Sequence, residues 1–336
     1  MNRAALLLLS VGTALFIALL AWQGFGAVTT ALTTAGWGLA LVALIHVVPL
    51  AFDGAAIAVL FGRRDPVDQR DALLARWIAE SVNSLLPAGQ IGGPVVMVRQ
   101  LSQRGMRLRD AAAAITVSTT LQAVAQVLFA VFGILLFCVH SADGAPRNLG
   151  IGAAIATGVL SAIIAVFYVA QRRGLFGRTL HVMSKMFGKR DWSVLKTRAD
   201  SIDVAVKALY RERRKAGASF ALSLVGWLVG TVEVWLALRF LGYPVGWVDA
   251  LLLESVGQAI RGAAFAIPGS LGVQEGGYLL LAPLVGLPPE AGLALSLAKR
   301  AREILLGLPG LLYLHLSERN WQRRRAMSVS SAEAVD

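Results

Sequence analysis

One apolar stretch near the C-terminus carries residues that could do chemistry. Residues 252–303 hold Glu254, Arg261, Glu275, Lys299, Arg300, Arg302 and Glu303 among long aliphatic runs. At helical spacing Lys299, Arg302 and Glu303 stand at i, i+3 and i+4 and share a face, with Arg300 about 100° round the axis. Arginine offers a planar fork that fits phosphate or carboxylate oxygens, so this face suits an anionic headgroup. The same cations could instead pair with Glu275, Glu254 or Glu80 and only hold the chain together. Glu275 offers a third chemistry, that of a proton-carrying acid, since buried carboxyls titrate closer to neutral pH.

Something must hold these charges away from lipid, where they are costly. The middle of the stretch, IPGSLGVQEGG, interrupts any continuous helix through Pro268 and the glycines around Gly269 and Gly272. Unpaired backbone survives at membrane depth only inside protein or beside a wet cavity. Ser270, Gln274 and Glu275 therefore join Pro268, Gly269 and Gly272 as candidates for a polar path, where helix N-termini could add partial positive charge for an anion.

Composition supports a membrane setting. The 336 residues are 56% hydrophobic and 15% charged, with a net charge of +12 and a mean hydropathy of +0.65. Soluble domains carry roughly a quarter charged residues. The positive charge lies in a few loops between apolar runs, which argues for cytoplasmic loops facing anionic lipid and against nucleic acid. A single cysteine, Cys138, and four histidines give no disulfide framework and no cluster with metal-ligand spacing. GxSxG, P-loop and HExxH patterns do not occur, so no metal, no cofactor and no enzymatic activity is expected.

In chain order, residues 4–22 read as an uncleaved first span and 36–62 as a second. The second span contains His46, Pro49 and Asp53; Asp53 either faces the bundle or reaches for the interface. Residues 77–98 are flanked by arginines on both sides and are too short for two crossings at about 20 residues each. They are expected to dip in from the cytoplasm and return. The hairpin carries Glu80 and Asn83, and its broken tip carries Pro87, Gln90, Gly92 and Gly93. Arg99 follows. Spans are expected at 111–139, 149–170 and 217–241, the last carrying Glu233 and Arg239. Between them, residues 171–215 hold 13 Lys or Arg. There Val194, Leu195, Ile202, Val206 and Leu209 form one helical stripe, expected on the anionic inner leaflet. A second hairpin, 251–286, would enter from outside, and a last helix, 291–316, would return to a disordered cytoplasmic tail, 319–336.

The expected fold is an all-α integral membrane domain, residues 1–318, with about six spans, two re-entrant hairpins and both termini inside. This topology leaves 26 of the 32 Lys and Arg in cytoplasmic loops. Both hairpins open with Glu-Ser-Val, at 80–82 and 254–256, and reach a proline–glycine cluster. Opposite entry sides make them an inverted repeat of the kind secondary transporters use.

Pro87, Ala88, Gly92, Gly93 and Arg99, then Pro268, Gly269, Gly272 and Glu275, resemble the two motifs of a flippase-like membrane family. That family includes the transmembrane half of lysylphosphatidylglycerol synthases. ESVNSLLPAGQIGG, IPGSLGVQEGG and LAKRARE most resemble its hopanoid-associated branch. The resemblance implies a bacterial inner-membrane protein that moves a hopanoid or an anionic phospholipid between leaflets, with lipid-biosynthesis or transport proteins as partners. Pro94 stands where relatives place an acid after the first Gly-Gly. The chain ends soon after its last span, so the aminoacyl-transferring domain and synthase activity are expected to be missing. Two other readings remain: a transporter for a small soluble anion, and a scaffold that docks lipid-modifying enzymes.

Overall fold

The computed structural model describes residues 33–62, 65–86, 89–140, parts of 155–178, 193–264 and 267–333, together with residue 30. The expected first span, 4–22, and half of the span at 149–170 lie outside the described residues. Among the described residues the chain is helical and has no strand. The helices are α1 (Gly38–Ile45), α2 (Val47–Ala58), α3 (Gln69–Leu85), α4 (Gly89–Gln103), α5 (Leu108–His140) and α6 (Ser193–Arg211). Then come α7 (Arg213–Phe240), α8 (Trp247–Ala263), α9 (Val273–Leu281) and α10 (Pro289–Glu333). Three stretches among the described residues are long and apolar enough to cross a membrane: Gly38–Ala58, Leu108–Leu136 and Arg213–Phe240. They match the expected spans at 36–62, 111–139 and 217–241.

Two apolar cores form. The first gathers Ala72, Ala75, Leu101, Ala113 and Ile115 between α2, α3, α4, α5 and α6. The second gathers Val42, Leu238, Leu253, Tyr278 and Leu295 between α1, α7, α8, α9 and α10. Helix α10 bridges them, since it packs on α3 as well as on α9. Gly307 and Gly310 permit that approach: a Cβ at either would run into Leu85 or Ser81 of α3. Small residues serve this purpose wherever helices cross closely in membranes. The opposite side of α10 exposes Ile304, Leu308, Leu312 and Leu316, an i, i+4 stripe suited to lipid.

The first broken segment differs from expectation in extent. Its arms run from Gln69 to Leu85 and from Gly89 to Gln103, so the break is narrower than PAGQIGGP. Asp68 starts α3 early: its side chain accepts from the amides of Arg70 and Asp71, and Asp71 answers with a bond to the Asp68 amide. Gly92 and Gly93 are helical, and Gly93 donates its N–H to Asn83 Oδ1 at 2.8 Å. A Cβ on Gly93 would meet Asn83 and the Ala79 carbonyl within 3 Å. Gly93 therefore brings α4 against α3 rather than opening the tip.

Two further expectations are corrected. The tail expected to be disordered from 319 continues α10 to Glu333, because Glu318, Arg319, Gln322, Arg323 and Arg324 are good helix formers. The stripe of α6 packs against protein: Val206 is buried, Ile202 and Leu209 join the first core, and Leu195 is exposed. Tyr210 and Gln171 lock this contact, with Tyr210 Oη donating to Gln171 Oε1 and Gln171 Nε2 donating to Thr120 on α5.

Candidate functional site: a chain of buried charges

Pro49 sets the first piece of the site. It lacks an N–H for the Ile45 carbonyl, and the helix is interrupted one residue later, at His46, between α1 and α2. His46 points inward. Its Nε2 lies 2.8 Å from Glu80 Oε1 on α3, and its Nδ1 lies 2.6 Å from Glu233 Oε2 on α7. From Glu80 the charges lead to Arg76, 3.9 Å away, whose Nη2 holds Asp53 Oδ2 at 2.8 Å. Gln122 also donates to that Asp53 oxygen. Asp53 thus faces the bundle.

From Glu233 the chain runs the other way. Arg302 Nη1 donates to Glu233 Oε2 at 2.9 Å, and Arg302 Nη2 reaches Glu303 Oε1 at 3.5 Å. Glu303 also takes Arg261 Nη2 at 2.8 Å and Arg300 Nη1 at 2.9 Å. Arg300 Nε then donates to Glu275 Oε1 at 2.9 Å. One connected path therefore joins Asp53 to Glu275 through six helices: α2, α3, α7, α8, α9 and α10. Beside it stands a separate pair, Lys299 to Glu254 at 2.5 Å, with Gln258 on the second Glu254 oxygen and Tyr278 below the ammonium. Burial in low dielectric makes each pair worth far more intact than half-removed.

Backbone geometry explains how α9 enters the cluster. Gly269, Ser270 and Gly272 all have positive φ, at 60°, 50° and 77°, which turns the chain sharply before α9. Ser270 is the non-glycine among these and holds a strained conformation. Glu275 then sits at the third helical position; its Oε2 accepts the Gly272 N–H at 2.7 Å. This N-terminus is thus answered by the protein's own carboxylate, so the helix end expected to attract an anion is already occupied. The tip also approaches the first break, where a Cβ at Gly269 would stand 3.2 Å from the Ser84 carbonyl oxygen.

The structure brings together Glu80, Glu254, Arg261, Gly269, Ser270, Gly272, Glu275, Lys299, Arg300, Arg302 and Glu303. Gln274 stands next to them and donates to Ser296, which bonds Glu275 in turn. Pro268 opens the turn at the tip. Asn83 serves the α3–α4 clasp instead. Pro87 lies outside the described residues, as does the side chain of Gln90. Arg99 lies apart from this cluster: it is half exposed on α4, gripping Glu318 through two bonds of 2.6 Å and lying over Trp321. It faces outward because α4 turns its buried side, Met97 and Leu101, to the first core.

The site also takes in His46, Asp53 and Glu233, which the sequence showed inside apolar spans without assigning them to the site, and Arg76. Arg76 was hidden by assignment to a basic loop, and only the early start of α3 places it two turns inside a helix.

Saturation of the cluster is incomplete. Arg300 Nη2, Arg302 Nε, Glu233 Oε1, Gln274 Oε1 and Ser270 Oγ are buried without a hydrogen-bond partner. A cavity of about 10 Å³, room for roughly one water, adjoins this region and is lined by His46, Glu80, Ser84, Arg302 and Glu303 among others. The arrangement can therefore present guanidinium donors to an acceptor while the protein neutralises most of its own charge.

Residues 7–310 match the family described as Lysylphosphatidylglycerol synthase TM region. The chain belongs to this family. Nearly the whole described fold, including every residue of the buried chain of charges, falls within the matched range. Membership makes the chain a membrane protein related to lipid handling. No curated relative and no solved structure matches it.

Proposed function

We propose that this member of the lysylphosphatidylglycerol synthase transmembrane family moves a polar-headgroup lipid, a hopanoid or an anionic phospholipid, between leaflets of the bacterial inner membrane. The carrying observation is the pair of unpartnered donors, Arg300 Nη2 and Arg302 Nε, inside a charged seam that touches both broken segments. A phosphate or carboxylate oxygen is the acceptor that such donors lack. The lipid tails would stay outside, against the apolar stripe of α10. In this reading the two broken segments dip in from opposite leaflets as an inverted repeat, both termini are cytoplasmic, and the basic outer face of α6 meets anionic lipid. No chemical step is required, so the protein acts as a carrier rather than an enzyme.

Photocrosslinking tests the proposal in nanodiscs with a photoactivatable phosphatidylglycerol. Labelling should fall on peptides from 267–275 and 299–303, and excess unlabelled phosphatidylglycerol should compete it away. Competition by inorganic phosphate would favour the small-anion transporter instead. Labelling confined to the lipid-facing stripe of α10 would remove the proposal and leave the scaffold reading.

A further inference from the structure

The buried chain of charges does not balance without its histidine. Among the described residues, Asp53, Glu80, Glu233, Glu275 and Glu303 supply five carboxylates, while Arg76, Arg261, Arg300 and Arg302 supply four guanidiniums. An uncompensated charge in a low-dielectric interior is expensive. His46 stands at the middle of the path with a carboxylate on each ring nitrogen, 2.8 Å from Glu80 and 2.6 Å from Glu233. Only imidazolium can donate to both, because neutral imidazole has a single N–H.

A competing contact makes this site two-state. Arg302 Nη1 also lies 2.6 Å from His46 Nδ1. Both groups cannot donate to each other. With a proton on Nδ1, the ring donates to Glu233 Oε2 and repels the Arg302 guanidinium. Without it, the Nδ1 lone pair accepts an N–H from Arg302. Glu233 Oε1 and Arg302 Nε lack partners, so each has a bond to gain when Arg302 shifts. Glu80 is the least buried group in contact with the ring: its side chain is 25% exposed, and it lines the small cavity together with His46 and Arg302.

We infer that His46 is a proton-binding site whose proton releases Arg302 from the imidazole and makes it available to an anion. The proton moves between the ring and water, and no covalent bond to carbon changes. The charged groups around His46 are Glu80 from α3, itself bridged to Arg76, Asp53 from α2, Glu233 from α7, and Arg302 and Glu303 from α10. The added positive charge and the freed guanidinium act in the same direction, so proton and anion binding favour each other, and linkage makes the effect reciprocal. The anion class rests on the lipid reading above; the proton site does not.

Two measurements separate these claims. In the first, the other three histidines are replaced (H140Q, H181Q, H315Q), and ¹⁵N NMR of the remaining His46 is followed in nanodiscs from about pH 5 to about pH 9. His46 should pass from two protonated nitrogens to one, and Glu233→Gln should move that passage to lower pH. An imidazole that keeps one proton throughout, or ignores Glu233→Gln, overturns the proton site. In the second, short-chain phosphatidylglycerol is titrated calorimetrically in buffers of different ionisation enthalpy. Wild-type affinity should rise about fivefold or more from the deprotonated to the protonated state, with proton uptake, and His46→Gln should bind without uptake. Phosphatidylglycerol binding that is independent of pH overturns the coupling. A titrating His46 in a protein that binds no phosphatidylglycerol at any pH upholds the proton site and removes the anionic-phospholipid reading.

Discussion

The two broken segments share an opening Glu-Ser-Val and a proline–glycine cluster, yet they break by different means. In the first, Gly92 and Gly93 stay helical and Gly93 lets α4 lie against α3, with the Asn83 side chain taking the Gly93 amide. In the second, Gly269, Ser270 and Gly272 leave helical space altogether, and the turn is fixed by charge: Glu275 caps α9 while Arg300 holds Glu275. Their paired glutamates differ as well. Glu80 is a quarter exposed, beside His46, whereas Glu254 is buried against Lys299. A glycine count does not distinguish a hinge from a close contact. The neighbours of each glycine do.

Substitutions can break this contrast. The largest effect is expected at Glu275, where Glu275→Leu takes from Arg300 one of its two carboxylates and strands the buried Gly272 amide. It should cost about 3–5 kcal/mol, seen as loss of the folded peak in fluorescence-detected size exclusion. Its counterpart in the first segment, Asn83→Leu, orphans one neutral amide and should cost about 1–3 kcal/mol. Equal losses at the two sites would mean that charge plays no special part in the second break.

Gly93→Ala should follow, at about 1–3 kcal/mol by overpacking, because the new methyl meets the Ala79 backbone. Gly269→Ala should cost about 1–2 kcal/mol from the left-handed conformation, read as a lower unfolding midpoint in detergent. The smallest effect is expected at the outer clamp. Glu318→Gln should cost about 0.2–1 kcal/mol, since Arg99 is half exposed. The hydrogen bonds from Arg99 hold the Glu318 carboxyl below its usual range. A depressed carboxyl contributes stability above its unfolded pKa and loses it as pH falls through the folded one. Wild type and Glu318→Gln should therefore converge in strongly acidic buffer and differ at neutral pH.

Much of this was legible in the amino-acid sequence. Apolar length gave the spans at 36–62, 111–139 and 217–241. Helical spacing put Lys299, Arg302 and Glu303 on one face, and those three are buried together. What the pattern could not supply was partnership. Arg99 and Arg76 are both arginines near apolar runs; one clamps the periphery and the other holds Asp53 inside. The difference depends on where α3 begins, which Asp68 and Asp71 decide through side-chain bonds. His46 stands out as a polar residue in an apolar span, but its role emerges only when three other helices bring it two carboxylates and an arginine. The tail from 319, expected to be disordered, is helical to Glu333, where good helix formers extend α10.

Leaflet-resolved movement of a fluorescent phosphatidylglycerol in proteoliposomes tests the central claim most directly, with the inner seam compared against the outer clamp. Arg300→Gln and Arg302→Gln, checked for folding, should slow movement about tenfold or more for the loss of roughly 1.4 kcal/mol of headgroup interaction, while Glu318→Gln should leave the rate near wild type. Movement at the wild-type rate in folded Arg300→Gln and Arg302→Gln proteins would contradict the account.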